Sequence, residues 1–248
     1  MPTQVLFGIP VEAATMSQVV QSVDAAISNR GSMDIGVVNA AKVVNMYRSK
    51  ELSNSVLSSS VIYADGMSVV WASRILGKPL PERVAGIDLM HAILEQGNTR
   101  GYRVFCLGAR QDVLDKVVRN FGAHYPGVTI VGARDGYFAE DEEETVAREI
   151  RDAKPDVLFV AITSPKKENF MARWSDTMDV PVVHGVGGSF DVVAGVVARA
   201  PESWQRLGME WLYRVKQEPG RLWKRYLVTN TLFLGIVIRE YFSGIRAR

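Results

Sequence analysis

Cysteine is almost absent: Cys106 stands alone among 248 residues. A lone cysteine excludes an intramolecular disulfide. Within Val104-Phe105-Cys106-Leu107 it reads as a small buried hydrophobe. Histidine is nearly as scarce. His91, His124 and His184 lie far apart, and no Cys/His spacing suits a metal site. His184 sits in a strand pattern, where a core role is commoner than a catalytic one. Residues 227–238 are apolar, but 12 positions fall short of the ~20 that a membrane-spanning helix needs. No Gly-x-Gly-x-x-Gly follows a strand, which argues against a nicotinamide or flavin oxidoreductase. No Gly-x-x-x-x-Gly-Lys-Ser/Thr is present, which argues against a P-loop ATPase. No Asp-x-Asp is there to hold a metal-bound diphosphate. No basic start followed by an apolar run opens the chain, so the cytoplasm is the expected compartment. Any chemistry is therefore expected to need no metal and no cofactor, and to be led by a carboxylate.

What is present is a chain with 47% apolar residues, enough for a substantial core. Its charge is uneven. Residues 1–198 carry 19 Lys/Arg against 23 Asp/Glu, a balance of −4, while residues 199–248 carry 10 against 4, a balance of +6. A basic end on an acidic body points to an anionic partner. The division expected is a core over 1–198 and a basic, amphipathic appendage over 199–248. Three of the five tryptophans, Trp204, Trp211 and Trp223, fall in that appendage. Tryptophan beside Lys/Arg on an amphipathic helix suits a bilayer interface, and docking on the core or on a second copy of the chain is the alternative. Trp204, Leu207, Trp211 and Val215 share the face of one expected helix, which Pro219 and Gly220 end. Nucleic acid is not expected, since no recognised module accompanies the basic tail.

Along the chain, residues 5–11 read as strand, bend, strand. Helical spacing follows over 15–27, a strand over 35–38 and a helix over 40–47. The run 61–63 is β-rich, and 67–76 and 87–96 are helical. Residues 79–86 hold too much proline for a helix. From 104 onward strands (104–107, 128–131, 156–162, 181–186) alternate with helices (112–121, 142–153, 167–175, 190–194). That alternation predicts an α/β, Rossmann-like fold with a mainly parallel sheet and flanking helices.

In such a sheet, ligands bind at the carboxyl ends of the strands. Asp65 stands at one such end, before Gly66 and a helix. It is either an N-cap or a carboxylate poised over a pocket. Asn39 opens another helix in the same way. Gly185-Val-Gly-Gly-Ser-Phe-Asp191, Leu107-Gly108-Ala-Arg110 and Ile162-Thr-Ser-Pro-Lys-Lys-Glu168 mark three further corners. Their small residues allow close approach of backbone to a phosphate, and Lys166 and Lys167 add positive charge.

Together these stretches resemble the WecG/TagA/CpsF glycosyltransferases, family twenty-six. The resemblance runs through Tyr63-Ala-Asp-Gly-Met, Arg83-Val-Ala-Gly-Ile-Asp88-Leu-Met and Asp135-Gly-Tyr-Phe. It continues through Ser164-Pro-Lys, Gly185-Val-Gly-Gly-Ser-Phe-Asp191, Arg199-Ala-Pro and Gly208-Met-Glu-Trp-Leu-Tyr-Arg214. It covers about residues 35–225. It implies a glycosyltransferase fold of its own type with a C-terminal membrane-docking appendage. The implied reaction is inverting transfer from a UDP-sugar to a polyprenyl-diphosphate-linked saccharide. The implied place is peripheral, at the cytoplasmic face of a bacterial inner membrane, and a homo-oligomer is allowed. Asp65 matches the family's general base. Asn39, Arg83, Gly108, Lys167, Gly187, Gly188, Ser189 and Asp191 are the expected donor-binding residues. Arg214 and Arg221 are the expected phosphate or acceptor ligands. Three positions depart from the usual pattern: Val37 for Thr, Ala41 for Glu and Lys167 for Gln. An N-acetylmannosamine-type donor and another UDP-hexose, for an exopolysaccharide unit, both stay open. A non-catalytic UDP-sugar or membrane-binding protein and a Rossmann-type oxidoreductase remain the competing readings.

Overall fold

The computed structural model describes residues 2–246, with the side chains of Arg206, Arg221 and residues 244–246 outside that description. The chain opens with an antiparallel hairpin of β1 (Thr3–Leu6) and β2 (Ile9–Glu12). Its two turn residues, Phe7 and Gly8, both have positive φ, as a two-residue hairpin turn requires. Helix α1 (Met16–Ser28) starts at Thr15, whose side chain forms a capping box with Gln18.

Strand β3 (Met33–Val38) leads through Asn39 into α2 (Ala40–Arg48). A helix that the apolar pattern does not predict, α3 (Lys50–Leu57), follows with Ser49 as its cap. Then come β4 (Val61–Ala64), α4 (Met67–Ile75) and α5 (Gly86–Arg100), with residues 79–85 as an irregular loop. The rest alternates as the sequence predicts. It runs β5 (Arg103–Gly108), α6 (Gln111–His124), β6 (Thr129–Arg134), α7 (Glu143–Ala153) and β7 (Val157–Ala161), then α8 (Lys166–Met178), β8 (Val182–Gly185) and α9 (Ser189–Val193).

Six of these strands form one parallel sheet in the order β4-β3-β8-β7-β5-β6. Side chains alternate across it with period two. Val104 and Cys106 of β5, with Val157 and Phe159 of β7, enter one core beside α5 and α6. Phe105 and Leu107, with Leu158 and Val160, enter another beside α7 and α8. Burial pushes the Cys106 thiol up to about 12, so it stays a neutral core residue. The exits of β3 and β8 diverge: α2 packs on one face of the sheet and α9 on the other. A crevice opens where neighbouring strands hand their chains to opposite faces.

Beyond Arg199 lie α10 (Glu202–Arg206), α11 (Glu210–Gln217) and α12 (Pro219–Arg246). The single helix expected through Trp204, Leu207, Trp211 and Val215 is two helices. Gly208 breaks it with φ +64, and a Cβ there would lie 2.6 Å from Met67 Cβ. The break thus seats the α10–α11 turn directly on α4. Helix α12 lies along α2 and the hairpin. Phe233 meets Phe7 edge-on at 5.3 Å, and the Glu240 carboxylate accepts the Phe7 N–H at 2.8 Å. Leu222, Thr229, Phe233 and Val237 are buried on that side. Trp223, Leu227, Leu234, Ile238 and Phe242 are exposed on the other. Among the described residues, no helix is long and apolar enough to cross a membrane.

Candidate active site

One cleft runs over the carboxyl edge of the sheet and under the C-terminal helices. Asn39, Asp65, Arg83, Lys167, Gly187, Gly188, Ser189, Asp191 and Arg214 all line it. Gly108 does not. It lies beneath the rim with φ +94, where a Cβ would be 2.5 Å from Ala161 O, so only glycine lets β5 and β7 end so close together. Arg221 begins the first turns of α12, and its side chain lies outside the described residues.

Asp65 is not the cap of α4. That N-cap is Gly66, with no side-chain hydrogen bond. Its Oδ1 instead accepts the Gly86 N–H at 2.9 Å, at the first residue of α5, and its Oδ2 accepts Asn39 Nδ2–H at 3.3 Å. A carboxylate from one element thus serves the N-terminus of another, where the helix dipole favours negative charge. Asn39 does cap its own helix, since its Oδ1 accepts the Lys42 N–H at 3.0 Å. The Asn39 side chain therefore ties α2 to Asp65 with its other end. Gly66 keeps this junction tight, because a Cβ there would be 3.1 Å from Asn39 Cβ.

Behind this pair lies a buried charge cluster that sequence reasoning found only in part. Lys42 Nζ meets Glu168 Oε1 at 2.5 Å, and Lys167 Nζ stands 3.4 Å from the same oxygen and from Gly185 O. All three side chains are nearly inaccessible. Burial alone would raise the Glu168 carboxyl, but Lys167 and Lys42 outweigh it and hold it at about 2. Burial and the Lys42 charge pull Lys167 down to about 8 against the opposing pull of Glu168 and Asp65. Two cations thus share one carboxylate next to the cleft. Lys42 falls three positions after Asn39 and so on the same helical turn; that spacing was its only signal in the sequence.

The β8–α9 corner makes room rather than charge. Gly187 has φ +53, and a Cβ there would lie 3.7 Å from Lys167 Nζ. Its N–H and that of Ser189 already donate to Val160 O and Val186 O. Asp191 is half-buried, and burial lifts its carboxyl above the ordinary range against the pull of Arg110 and Arg214.

Arg83 is engaged. Its Nη1 donates to Glu210 Oε2 of α11 at 2.7 Å, and its Nη2 stands 3.4 Å from Asp88 Oδ2. Asp88 also accepts from Arg199. This chain of charges fastens the start of α5 to the C-terminal helices. The described residues hold no group of three His, Cys, Asp or Glu side chains suited to a metal ion.

The model of the glycosyl transferase WecG/TagA/CpsF family matches residues 4–247. The chain belongs to this family. Like other WecG/TagA/CpsF proteins it is a glycosyltransferase. Two relatives bear the name N-acetylglucosaminyldiphosphoundecaprenol N-acetyl-beta-D-mannosaminyltransferase. The one from Bacillus spizizenii (strain ATCC 23059 / NRRL B-14472 / W23) is 39% identical over 191 residues, 77% of this chain and 73% of the relative. The one from Bacillus subtilis (strain 168) is 33% identical over 241 residues, 97% of this chain and 93% of the relative. In this glycosyltransferase the stretches that resemble the family meet around one cleft, most of them at the carboxyl edge of the sheet and the last, residues 208–214, on the C-terminal helices above it.

Proposed function

We propose that this glycosyltransferase moves a hexose-type sugar from a UDP-sugar to a polyprenyl-diphosphate-linked saccharide, with inversion and without a metal. The step would belong to the building of a bacterial cell-surface polysaccharide. The observation that carries this reading is the setting of Asp65. Its carboxylate is held by Gly86 and Asn39 at the floor of the cleft, within electrostatic reach of Lys167.

A sugar hydroxyl is a weak nucleophile. Asp65 takes its proton as the hydroxyl oxygen bonds to the anomeric carbon, and the bond from that carbon to the UDP oxygen breaks on the opposite side. The departing diphosphate gains negative charge, which preorganised cations stabilise without reorganisation. Arg83, Lys167, Arg214 and Arg221 fill that role. Asn39, Gly187, Gly188, Ser189 and Asp191 hold the donor, and Gly108 lets the neighbouring corners close on it. The lipid-diphosphate acceptor is supported by the relatives' printed name, which includes N-acetylglucosaminyldiphosphoundecaprenol. That name also includes an N-acetylmannosaminyl group; with Val37, Ala41 and Lys167 departing from the usual pattern, that donor and another UDP-hexose stand level, and the donor panel decides between them. The exposed apolar stripe of α12, with Lys224 and Arg225 beside it, supports peripheral docking on an anionic membrane surface.

The test is UDP release from a panel of UDP-sugars with a lipid-diphosphate-linked acceptor, with and without chelator. Acceptor-dependent release is expected for one donor, unchanged by chelator. Asp65→Asn should lower it by about a hundredfold or more, the scale of general base catalysis. Equal turnover in the variant would remove Asp65 from the chemistry. Loss of activity with chelator would overturn the metal-free mechanism.

A further inference from the structure

His184 is fully buried in β8, a strand covered on both faces. An apolar residue there would pack without cost. A histidine with an unpartnered ring nitrogen carries a desolvation cost there. Among the described residues Nδ1 has no hydrogen-bond partner, so this histidine carries that cost. What it makes in return is one bond, Nε2 to Gly86 O at 3.0 Å. The acceptor is a carbonyl, so Nε2 carries the hydrogen and donates. Phe159 stands edge-on to the ring at 6.2 Å and fixes its plane.

Gly86 is also the residue whose N–H reaches Asp65. Its amide donates to Asp65 Oδ1 at 2.9 Å, while its carbonyl accepts from His184 at 3.0 Å. The N-cap of α5, Ala85, offers no side-chain bond; Asp88 fastens the same turn through Arg83 and Arg199, while the Gly86 peptide itself is held by Asp65 on its N–H and His184 on its carbonyl. The loop is tied to β4 once more through Val84 N–H and Ala64 O. Losing the histidine would therefore loosen the Gly86 peptide without releasing the loop.

We propose that His184 is a positioning residue: through the Gly86 backbone it holds the Asp65 carboxylate in the orientation that transfer requires. The proposal rests on Asp65 being the general base. The charged groups that face His184 are Lys167, on α8, and Asp65 itself. Lys42 of α2 and Glu168 stand behind Lys167. Burial, with Lys167 adding to it, holds the imidazole at about 4 against the pull of the Gly86 carbonyl and Asp65. It is neutral at working pH and acts as a fixed donor, not as an acid or base.

The test uses the full chain with His184→Met, which keeps the bulk and loses the donor, and His184→Gln, which keeps an N–H near the place of Nε2. Turnover and donor KM are measured beside wild type and Asp65→Asn. The Gly86 amide resonance is followed in 15N-glycine-labelled protein. A displacement of a catalytic group by an ångström costs up to a hundredfold, so kcat should fall about thirtyfold in His184→Met with donor KM within about twofold, and return to within about threefold of wild type in His184→Gln. The Gly86 amide should move in the methionine variant and return in the glutamine variant. Wild-type kcat in His184→Met, or equal losses in both variants, would overturn the proposal. If Asp65→Asn keeps full activity, the base assignment falls, and the amide decides the rest. Movement in His184→Met reversed in His184→Gln keeps His184 as the anchor of Gly86. No movement removes it.

Discussion

The Lys167→Met substitution exchanges a buried ammonium for a neutral side chain of similar length. Lys167 sits beside Lys42 and shares Glu168 with it, and its proton is held at about 8 instead of the ordinary 10.5. The folded protein therefore binds this proton less tightly than the unfolded chain does. Below pH 8 both states are protonated, and the full penalty is present. Between pH 8 and 10.5 the unfolded chain binds more protons, so stability rises with pH as the penalty is relieved. A gap of about 2.5 units at 1.36 kcal/mol each amounts to about 3 kcal/mol. Wild type should thus gain up to about 3 kcal/mol between pH 8 and 10.5, and the methionine variant, whose Glu168 keeps Lys42 alone, should lack that rise. Its turnover should fall, because Lys167 is proposed to meet the donor. Urea unfolding followed by circular dichroism from pH 7 to 10.5, with UDP release at pH 7, measures both. A methionine variant whose stability rises between pH 8 and 10.5 as that of wild type does would refute the account of the cluster.

Gly208→Ala places a Cβ 2.6 Å from Met67 Cβ on a backbone with φ +64. It should cost about 1–3 kcal/mol and free the α10–α11 turn, read as faster limited proteolysis there while the core stays resistant. Trp223→Ala with Leu227→Ala removes two exposed apolar side chains of α12 and leaves its seat on α2 intact. Cosedimentation with anionic liposomes should drop several-fold at low salt, and unchanged binding would turn the stripe over to a protein partner.

The parallel sheet and its corners were legible because a buried strand and an amphipathic helix each leave a periodic trace. What escaped the sequence was tertiary. Helix α3 shows only Leu52 and Val56 as buried apolar residues in a run rich in Ser and Asn, too sparse a pattern to stand out. The break at Gly208 hides inside an apolar period that continues across it, since Trp204 and Trp211 keep their spacing while the backbone turns. Asp65 looked like a cap because a local partner is the commonest explanation for such a residue. Its true partner is 21 positions away. Lys42 and Glu168 are 126 apart, and neither carries a sign of the other. Periodicity reports which face is buried; it does not report which polar groups meet once two elements have docked.

One guanidinium belongs to two parts of the molecule. Arg83 lines the cleft and also binds Glu210 on α11. An anion that takes Arg83 must share it with Glu210 or displace it, so filling the cleft shifts how firmly the C-terminal helices are seated. Such coupling is reciprocal: anything that pulls on those helices from outside alters affinity inside by the same factor. For the proposed membrane surface and the proposed nucleotide-sugar donor, the two affinities are then two readings of a single equilibrium.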